Sequence, residues 1–205
     1  MYDKLIIIGA GGHGKVVANI AMLNGYKEIY FLDDDTSKKY IGKYQIIGTT
    51  KEINRYKDQY NFFIAIGNNE IRKKLSIILL DNNIKPVSLI HPSAVIDSTV
   101  QIGYGVVVMA SAVINADTTI GNSVIVNTAS SIDHDCIIND YVHVSPGVHI
   151  AGNVHIGEKT WLCIGSTIIN NTTVCEDIIV GAGATVINDL NKNGIYVGIP
   201  AKRMV

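Results

Sequence analysis

From Ile120 to Gly157 the chain reads IGNSVIVNTASSIDHDCIINDYVHVSPGVHIAGNVHIG, and an aliphatic residue returns at every sixth position: Ile120, Val126, Ile132, Ile138, Val144, Ile150 and Ile156. The same step runs back through Ile114, Val108, Ile102 and Ile96 to Ile90, and forward through Leu162, Ile168, Val174 and Val180 to Val186. Four residues after each stands a small or β-branched side chain, among them Val124, Ser130, Cys136, Val142, Val148 and Val154. A helix repeats every ~3.6 residues and a strand every two, so neither holds a six-residue register over this length. A solenoid does. Each hexapeptide forms one short flat face, three faces close a triangular rung, and stacked rungs bury an aliphatic column that no single rung can bury. The expected architecture is a parallel β-helix.

This repeat resembles that of the hexapeptide-repeat acyltransferases. The resemblance implies a left-handed winding, which spacing alone does not give. The tail Val197-Gly-Ile-Pro-Ala-Lys-Arg-Met204 is similar to the segment by which that family leaves its last rung.

Composition narrows the partners. A chain of 205 residues with 47% hydrophobic content can bury the core of one large domain or two small ones. Its 17 Lys and Arg face 18 Asp and Glu with no long run of one sign, so neither nucleic acid nor an anionic membrane surface is an expected partner. The first apolar run, Leu5-Ile6-Ile7-Ile8, is too short for the core of a secretion signal, and no stretch reaches membrane-spanning length. A cytoplasmic protein is expected. Cys136, Cys163 and Cys175 show neither CxxC spacing nor an even framework, which leaves them as small packing residues rather than a disulfide set or a zinc knuckle.

Residues 1–85 follow a different rhythm, which sets the expected boundary near Pro86 to Pro92 and assigns 86–205 to the solenoid and its C-terminal cap. Lys4 to Ile8 reads as a buried strand, GAGGHGK as a turn, Val16 to Leu23 as a helix and Glu28 to Leu32 as a second strand. A helical stretch at Thr49 to Tyr56, a strand at Phe62 to Ile66 and a helix from Asn69 to Leu80 complete a small Rossmann-like α/β unit with a parallel sheet. Gly9, Gly11 and Gly14 satisfy G-x-G-x-x-G after a strand, and Asp33 to Asp35 end the next strand where a ribose-binding acid sits. The glycines admit a diphosphate to the backbone, and the helix N-terminus attracts its charge. The unit is about half of a full dinucleotide domain, so one nucleotide suits it better than NAD. Gly11, Gly12 and His13 are the candidates for the phosphates, Asp33 and Asp34 for base or ribose, and Gly67 for the close approach of the third strand to the same ligand.

Such a unit joined to a hexapeptide solenoid resembles the bacterial nucleotide-amino-sugar N-acetyltransferases, in particular those of the bacillosamine pathway. The likeness covers essentially the whole chain and rests on GAGGHG (9–14), GYKEIYFLDD (25–34), FFIAIGNNEIRKK (62–74), NTASSIDHDC (127–136) and GIPAKRM (198–204). It implies transfer of acetyl from acetyl-CoA to the 4-amino group of a UDP-linked 4-amino-4,6-dideoxy sugar, with no metal and no acyl-enzyme. It also implies a homotrimer with coenzyme grooves between neighbouring solenoids, to whose faces Val107 and Met109 are expected to contribute. A dTDP- or GDP-linked amino sugar, or a sialic-acid hydroxyl, is the alternative acceptor; a non-catalytic nucleotide-sugar sensor would have lost the histidine and the groove. Two features depart from the resemblance: Asp135 stands where the bacillosamine-pathway enzymes it resembles carry glutamate, and 41–53 reads as an insertion between the second strand and the next helix.

His134 follows the inward Ile132 by two places and therefore faces out of the core. Near neutral pH an imidazole can take the proton of an amine as its nitrogen attacks a thioester carbonyl. Asp133 or Asp135 can orient the ring and favour its protonated form; the resemblance selects Asp135. Asn127 is a candidate for a further hydrogen bond to the substrate. His143, His149 and His155 are six apart, fall on three successive faces and cannot converge on one metal within a chain. By resemblance, His143 contacts acetyl-CoA, and Gly152, Ile164, Gly181 and Ala182 line the pantetheine groove. His91, beside Pro92, reads as structural.

Overall fold

The computed structural model describes residues 3–204, in two compact units divided between Ile90 and His91. In the second unit the six-residue register forms a left-handed parallel β-helix. Each hexapeptide contributes a two-residue strand that pairs in parallel with the strand 18 residues away, as Val113 does with Ser131 and Ser131 with His149. Three hexapeptides therefore make one rung. Every inward aliphatic from Val108 to Val186 is buried, each contributing about 1.5–3 kcal/mol. Ile96 and Ile102 are half-buried, because a terminal rung has a neighbour on one side only. Ile90, counted in the same register, falls in the first unit and is 36% exposed.

From Val106 onward the second series is buried as well, and it places five hydroxyls, those of Thr118, Ser130, Thr160, Ser166 and Thr172, in an apolar interior where most of them find a carbonyl. Thr118, Ser130 and Thr160 donate to the carbonyls of Asp133, Asn127 and Cys175 at 2.8, 2.7 and 2.9 Å. One place before that series, the backbone turns from one face to the next in the left-handed region: Asp117, Ser123, Ala129, Asp135, Tyr141, Asn153 and Lys159 all have φ between 52° and 60°. Asp and Asn accept this conformation more readily than other side chains, which explains their frequency at the corners. Val107 and Met109 do not form a free face. They are 0% and 2% exposed within the single chain, because the register separates inward from outward positions without telling what else covers the latter.

The first unit contains β1 (Lys4–Ile8), α1 (Gly12–Leu23), β2 (Glu28–Leu32), β3 (Tyr40–Ile41), β4 (Tyr44–Gly48), α2 (Ile53–Tyr56), β5 (Asn61–Ile64) and α3 (Asn69–Asp81). The sheet order is β3-β4-β2-β1-β5, parallel except for the β3–β4 hairpin. The hairpin is made largely by the 41–53 insertion, which thus adds an edge to the sheet by pairing Ile46 with Phe31 and Gly48 with Leu32. α1 begins at Gly12, ahead of the expected Val16, because Gly11 takes the extended backbone of an N-cap and the glycine turn becomes the first helical turn. Gly14 is needed for packing: a Cβ there would lie 2.3 Å from the carbonyl oxygen of Gly9 and 3.0 Å from the Phe31 ring. Strand and helix touch at this point.

Candidate active site

His134 occupies the corner after the strand Ser131–Ile132; its side chain is 58% exposed, while Ile132 is fully buried. The ring Nδ1 lies 2.7 Å from Oδ2 of Asp135, whose own backbone is left-handed at φ 59°. Aspartate suits that backbone, so the shorter acid still reaches the ring. With Nδ1–H donating to the carboxylate, Nε2 is the atom that can take a proton. Asp133 has a separate task. Its Oδ1 accepts from the His134 N–H and from Asn115 Nδ2, both at 2.9 Å, and so fixes the turn rather than the ring. The hydrogen bond to Asp135 and, next, the charge of Asp133 raise the His134 pKa above its ordinary value. Cys136, two residues on, is fully buried with its thiol pushed up by burial and its Sγ donating to the Ala151 carbonyl at 3.2 Å, so it is a packing group and no nucleophile.

The next rung presents Gly152 to the imidazole. A Cβ on Gly152 would meet His134 Cε1 at 2.6 Å, Nε2 at 2.7 Å and Nδ1 at 3.2 Å. Of the residues assigned to the coenzyme, Gly152 alone shares this edge. Asn127 and Gly181 belong to one corner column, and Ile164 and Ala182 to its neighbour, on the edge that precedes the Ser131 face rather than the one that follows it. Ile164 is 59% exposed there, whereas Gly181 is packed so closely that a Cβ would lie 2.8 Å from Val197 Cγ1.

His143 stands on the face leading into that first edge. Its Nε2 is 3.4 Å from Asn127 Nδ2, and its ring stacks on Trp161 at 5.8 Å between centroids and 8° between planes. Trp161 Nε1 donates to Ser145 Oγ at 2.8 Å, although the residue is 41% exposed. Sequence reading passed over this tryptophan, for which the signal was a large aromatic in an outward slot. One chain therefore brings Asn127 to His143 and not to His134. His149 and His155 lie on the other two faces, beside Ser131 Oγ at 2.8 Å and Asn139 Nδ2 at 3.1 Å. Among the described residues no group of three metal-ligating side chains converges.

In the first unit, a Cβ on Gly11 or Gly12 would meet nothing within 4 Å among the described residues, so their packing does not require glycine at either. His13 Nε2 is buried with no hydrogen-bond partner among the described residues, and burial, followed by the charge of Arg72, lowers the imidazole pKa to about 4. Arg72 is 1% exposed and donates to the carbonyls of Ile66 and Gly67 at 3.0 and 3.1 Å and to Asn69 Oδ1 at 2.8 Å. It pins the loop after β5 that carries Gly67. It shares the buried side of α3 with Ser76 and Leu79. Asp33 Oδ2 accepts the Ala10 N–H at 2.6 Å, tying β2 to the glycine turn, and its Oδ1 accepts the Asp35 N–H at 2.9 Å. Asp34 Oδ1 accepts from the N–H and hydroxyl of Thr50 at 2.9 and 2.8 Å. Each carboxylate retains acceptor capacity beyond these bonds. Asp33, Lys38, Ile46, Gly48 and Glu52 help to line a cleft of about 280 Å³, so the insertion supplies part of its wall.

Residues 4–79 match the PglD N-terminal domain. The whole chain is similar to the acetyltransferase domain of PglB from Neisseria gonorrhoeae FA1090, solved in complex with acetyl coenzyme A, at 41% identity and a TM-score of 0.96, covering 100% of both chains. It is similar also to a histidine-to-asparagine variant of perosamine N-acetyltransferase from Caulobacter crescentus, solved with CoA and GDP-perosamine, at 36% identity and a TM-score of 0.93 over 97% of this chain and 95% of that one. UDP-N-acetylbacillosamine N-acetyltransferase of Bacillus subtilis (strain 168) is 36% identical over 111 residues, which are 52% of this chain and 51% of that protein. The chain spans about half the length of the curated N-acetyltransferases it matches. With full coverage by the gonococcal domain at 41% identity and a PglD N-terminal domain preceding the β-helix, the chain belongs to the hexapeptide-repeat nucleotide-amino-sugar N-acetyltransferases.

Proposed function

We propose that the chain transfers acetyl from acetyl-CoA to the 4-amino group of a UDP-linked 4-amino-4,6-dideoxy sugar, with His134 as general base and Asp135 as its orienter. The observation that carries this reading is the outward imidazole held at Nδ1 by Asp135 at 2.7 Å, with Nε2 left to act. The neutral amine attacks the thioester carbonyl, forming a C–N bond, while Nε2 takes the amine proton. Collapse of the tetrahedral intermediate breaks the C–S bond, and the imidazolium returns that proton to the departing thiolate. The products are the acetamido sugar and CoA, and His134 is neutral again.

Gly11, Gly12, His13, Asp33, Asp34 and Gly67 form the nucleotide handle, whose binding energy positions the amine. The open space above Gly11 and Gly12 supports this assignment. The working form is a cytoplasmic homotrimer. In support, the coenzyme candidates His143, Ile164, Gly181 and Ala182 run along or into one edge of the solenoid and His134 stands on the next, so a neighbouring subunit can join what one chain keeps apart. Asn127 then serves the substrate bound at a neighbour's His134. A GDP-linked acceptor is the second reading, favoured by the likeness to the Caulobacter enzyme.

Free-thiol release from acetyl-CoA, measured across UDP-, dTDP- and GDP-linked 4-amino sugars, tests the proposal. Preference for the UDP sugar is expected, preference for the GDP sugar selects the second reading, and no release with any of them overturns the activity. Light scattering at assay concentration tests the assembly, and an active monomer would overturn the trimer.

A further inference from the structure

The corner slot of His134 recurs every 18 residues, so the same backbone position is taken by Ser98, Ala116, His134, Gly152, Asn170 and Asn188. Serine, alanine and asparagine all fit it. Gly152 is moreover absent from the left-handed positions of the chain, so its backbone does not call for glycine. What a side chain at Gly152 would strike is the imidazole: its three nearest atoms are Cε1, Nε2 and Nδ1 of His134, the first two under 3.0 Å. No backbone atom and no core residue is nearer. The glycine thus answers to the residue one rung away and not to the turn it occupies.

We infer that Gly152 is a positioning residue for the general base, leaving room for the His134 imidazole to rest against the adjacent rung in the orientation from which Nδ1 reaches Asp135. The inference rests on the reading of His134 as base and departs from the assignment of Gly152 to the pantetheine groove. The imidazole is mostly exposed while the corner backbone is locked between rungs, with the Asn153 N–H on the His134 carbonyl at 2.9 Å and the Asn171 N–H on the Gly152 carbonyl at 3.1 Å. A methyl group at Gly152 therefore moves the ring and leaves the rung in place. Moving the ring stretches or breaks its bond to Asp135 and takes Nε2 away from the amine.

The test uses Gly152→Ala, His134→Ala and the double variant, with acetyl-CoA and the UDP-4-amino-4,6-dideoxy sugar as substrates, together with an NMR titration of the His134 imidazole identified by its absence from His134→Ala. Gly152→Ala should keep the melting temperature and the acetyl-CoA KM while kcat falls by about ten- to a hundredfold, the scale of a misplacement near 1 Å. The His134 titration should move down toward the ordinary imidazole value as the Asp135 bond weakens. In the His134→Ala background the same substitution should cost nothing further, because there is no ring to displace. A raised acetyl-CoA KM at constant kcat, an unmoved titration, or a full additional loss in the double variant would overturn the inference. Retained activity in His134→Ala would instead remove the base assignment itself.

Discussion

His134 Nδ1 and Asp135 Oδ2 stand 2.7 Å apart although the two residues are neighbours in sequence, because Asp135 takes the left-handed backbone that turns the corner and brings its carboxylate back to the ring. The proposed base and its orienter are thus products of one turn. Replacing His134 by alanine should lower kcat by about a hundredfold or more, the usual worth of a positioned general base, with little change in the KM for acetyl-CoA. Asp135→Asn should be milder, since the amide oxygen can still accept from Nδ1. Steady-state kinetics with both substrates varied reads both effects, and near wild-type turnover in His134→Ala would exclude the mechanism.

The same bond fixes the pH dependence. A raised imidazole pKa means that the base is protonated, and idle, until the pH exceeds a value above the ordinary ~6.5. The acid limb of kcat/KM should lie on that higher side. Asp135→Asn should move the limb to lower pH by removing the first cause, and Asp133→Asn should move it less by removing only a neighbouring charge. A limb unmoved in Asp135→Asn would mean that another group titrates there.

How far the sequence carries can be judged at particular residues. The inward series from Val108 to Val186 was legible because burial repeats with the rung, and His134 faces outward for the same reason. Asp135 as the ring's partner and Asp133 as the turn's partner were not separable, since that depends on the φ of Asp135. The closeness of Gly152 to the imidazole was not legible, because the two residues are 18 apart in sequence and meet only when the rungs stack. In the first unit, Asp33 read as a ligand group alone, and its bond to the Ala10 N–H needs the parallel pairing of β1 with β2 to be seen. Arg72 carries charge into the core, which hydrophobic periodicity cannot announce.

His13 gives a stability prediction. Its imidazole is held neutral down to about pH 4, whereas in the unfolded chain it protonates near 6.5. Between these values the unfolded state binds the extra proton, so the contribution to stability is lost as the pH falls from about 6.5 toward 4. A displacement of that size corresponds to an upper bound of about 3 kcal/mol. His13→Gln should therefore flatten the decline in melting temperature across this interval. An equally steep decline in the variant would assign the acid sensitivity to other groups.

Gly12 allows the nucleotide handle to be tested without disturbing the fold. It is the first residue of α1, its backbone is not left-handed, and a Cβ on it meets no atom within 4 Å. Alanine should thus be accepted, and it should raise stability by about 0.5–1 kcal/mol because the unfolded chain loses freedom that glycine had. The methyl group would project into the space where the backbone is proposed to approach a diphosphate, so the KM for the UDP sugar should rise by about tenfold, a loss of about 1.4 kcal/mol. The KM for acetyl-CoA should stay as it was. The opposed signs matter: a variant more stable yet weaker toward the sugar cannot be explained by damage to the domain. Product-free inhibition completes the test, with UDP competing against the sugar and not against acetyl-CoA. Equal rises in both constants for Gly12→Ala, or efficient acetylation of a free amino sugar lacking UDP, would mean that the glycine turn does not hold the nucleotide.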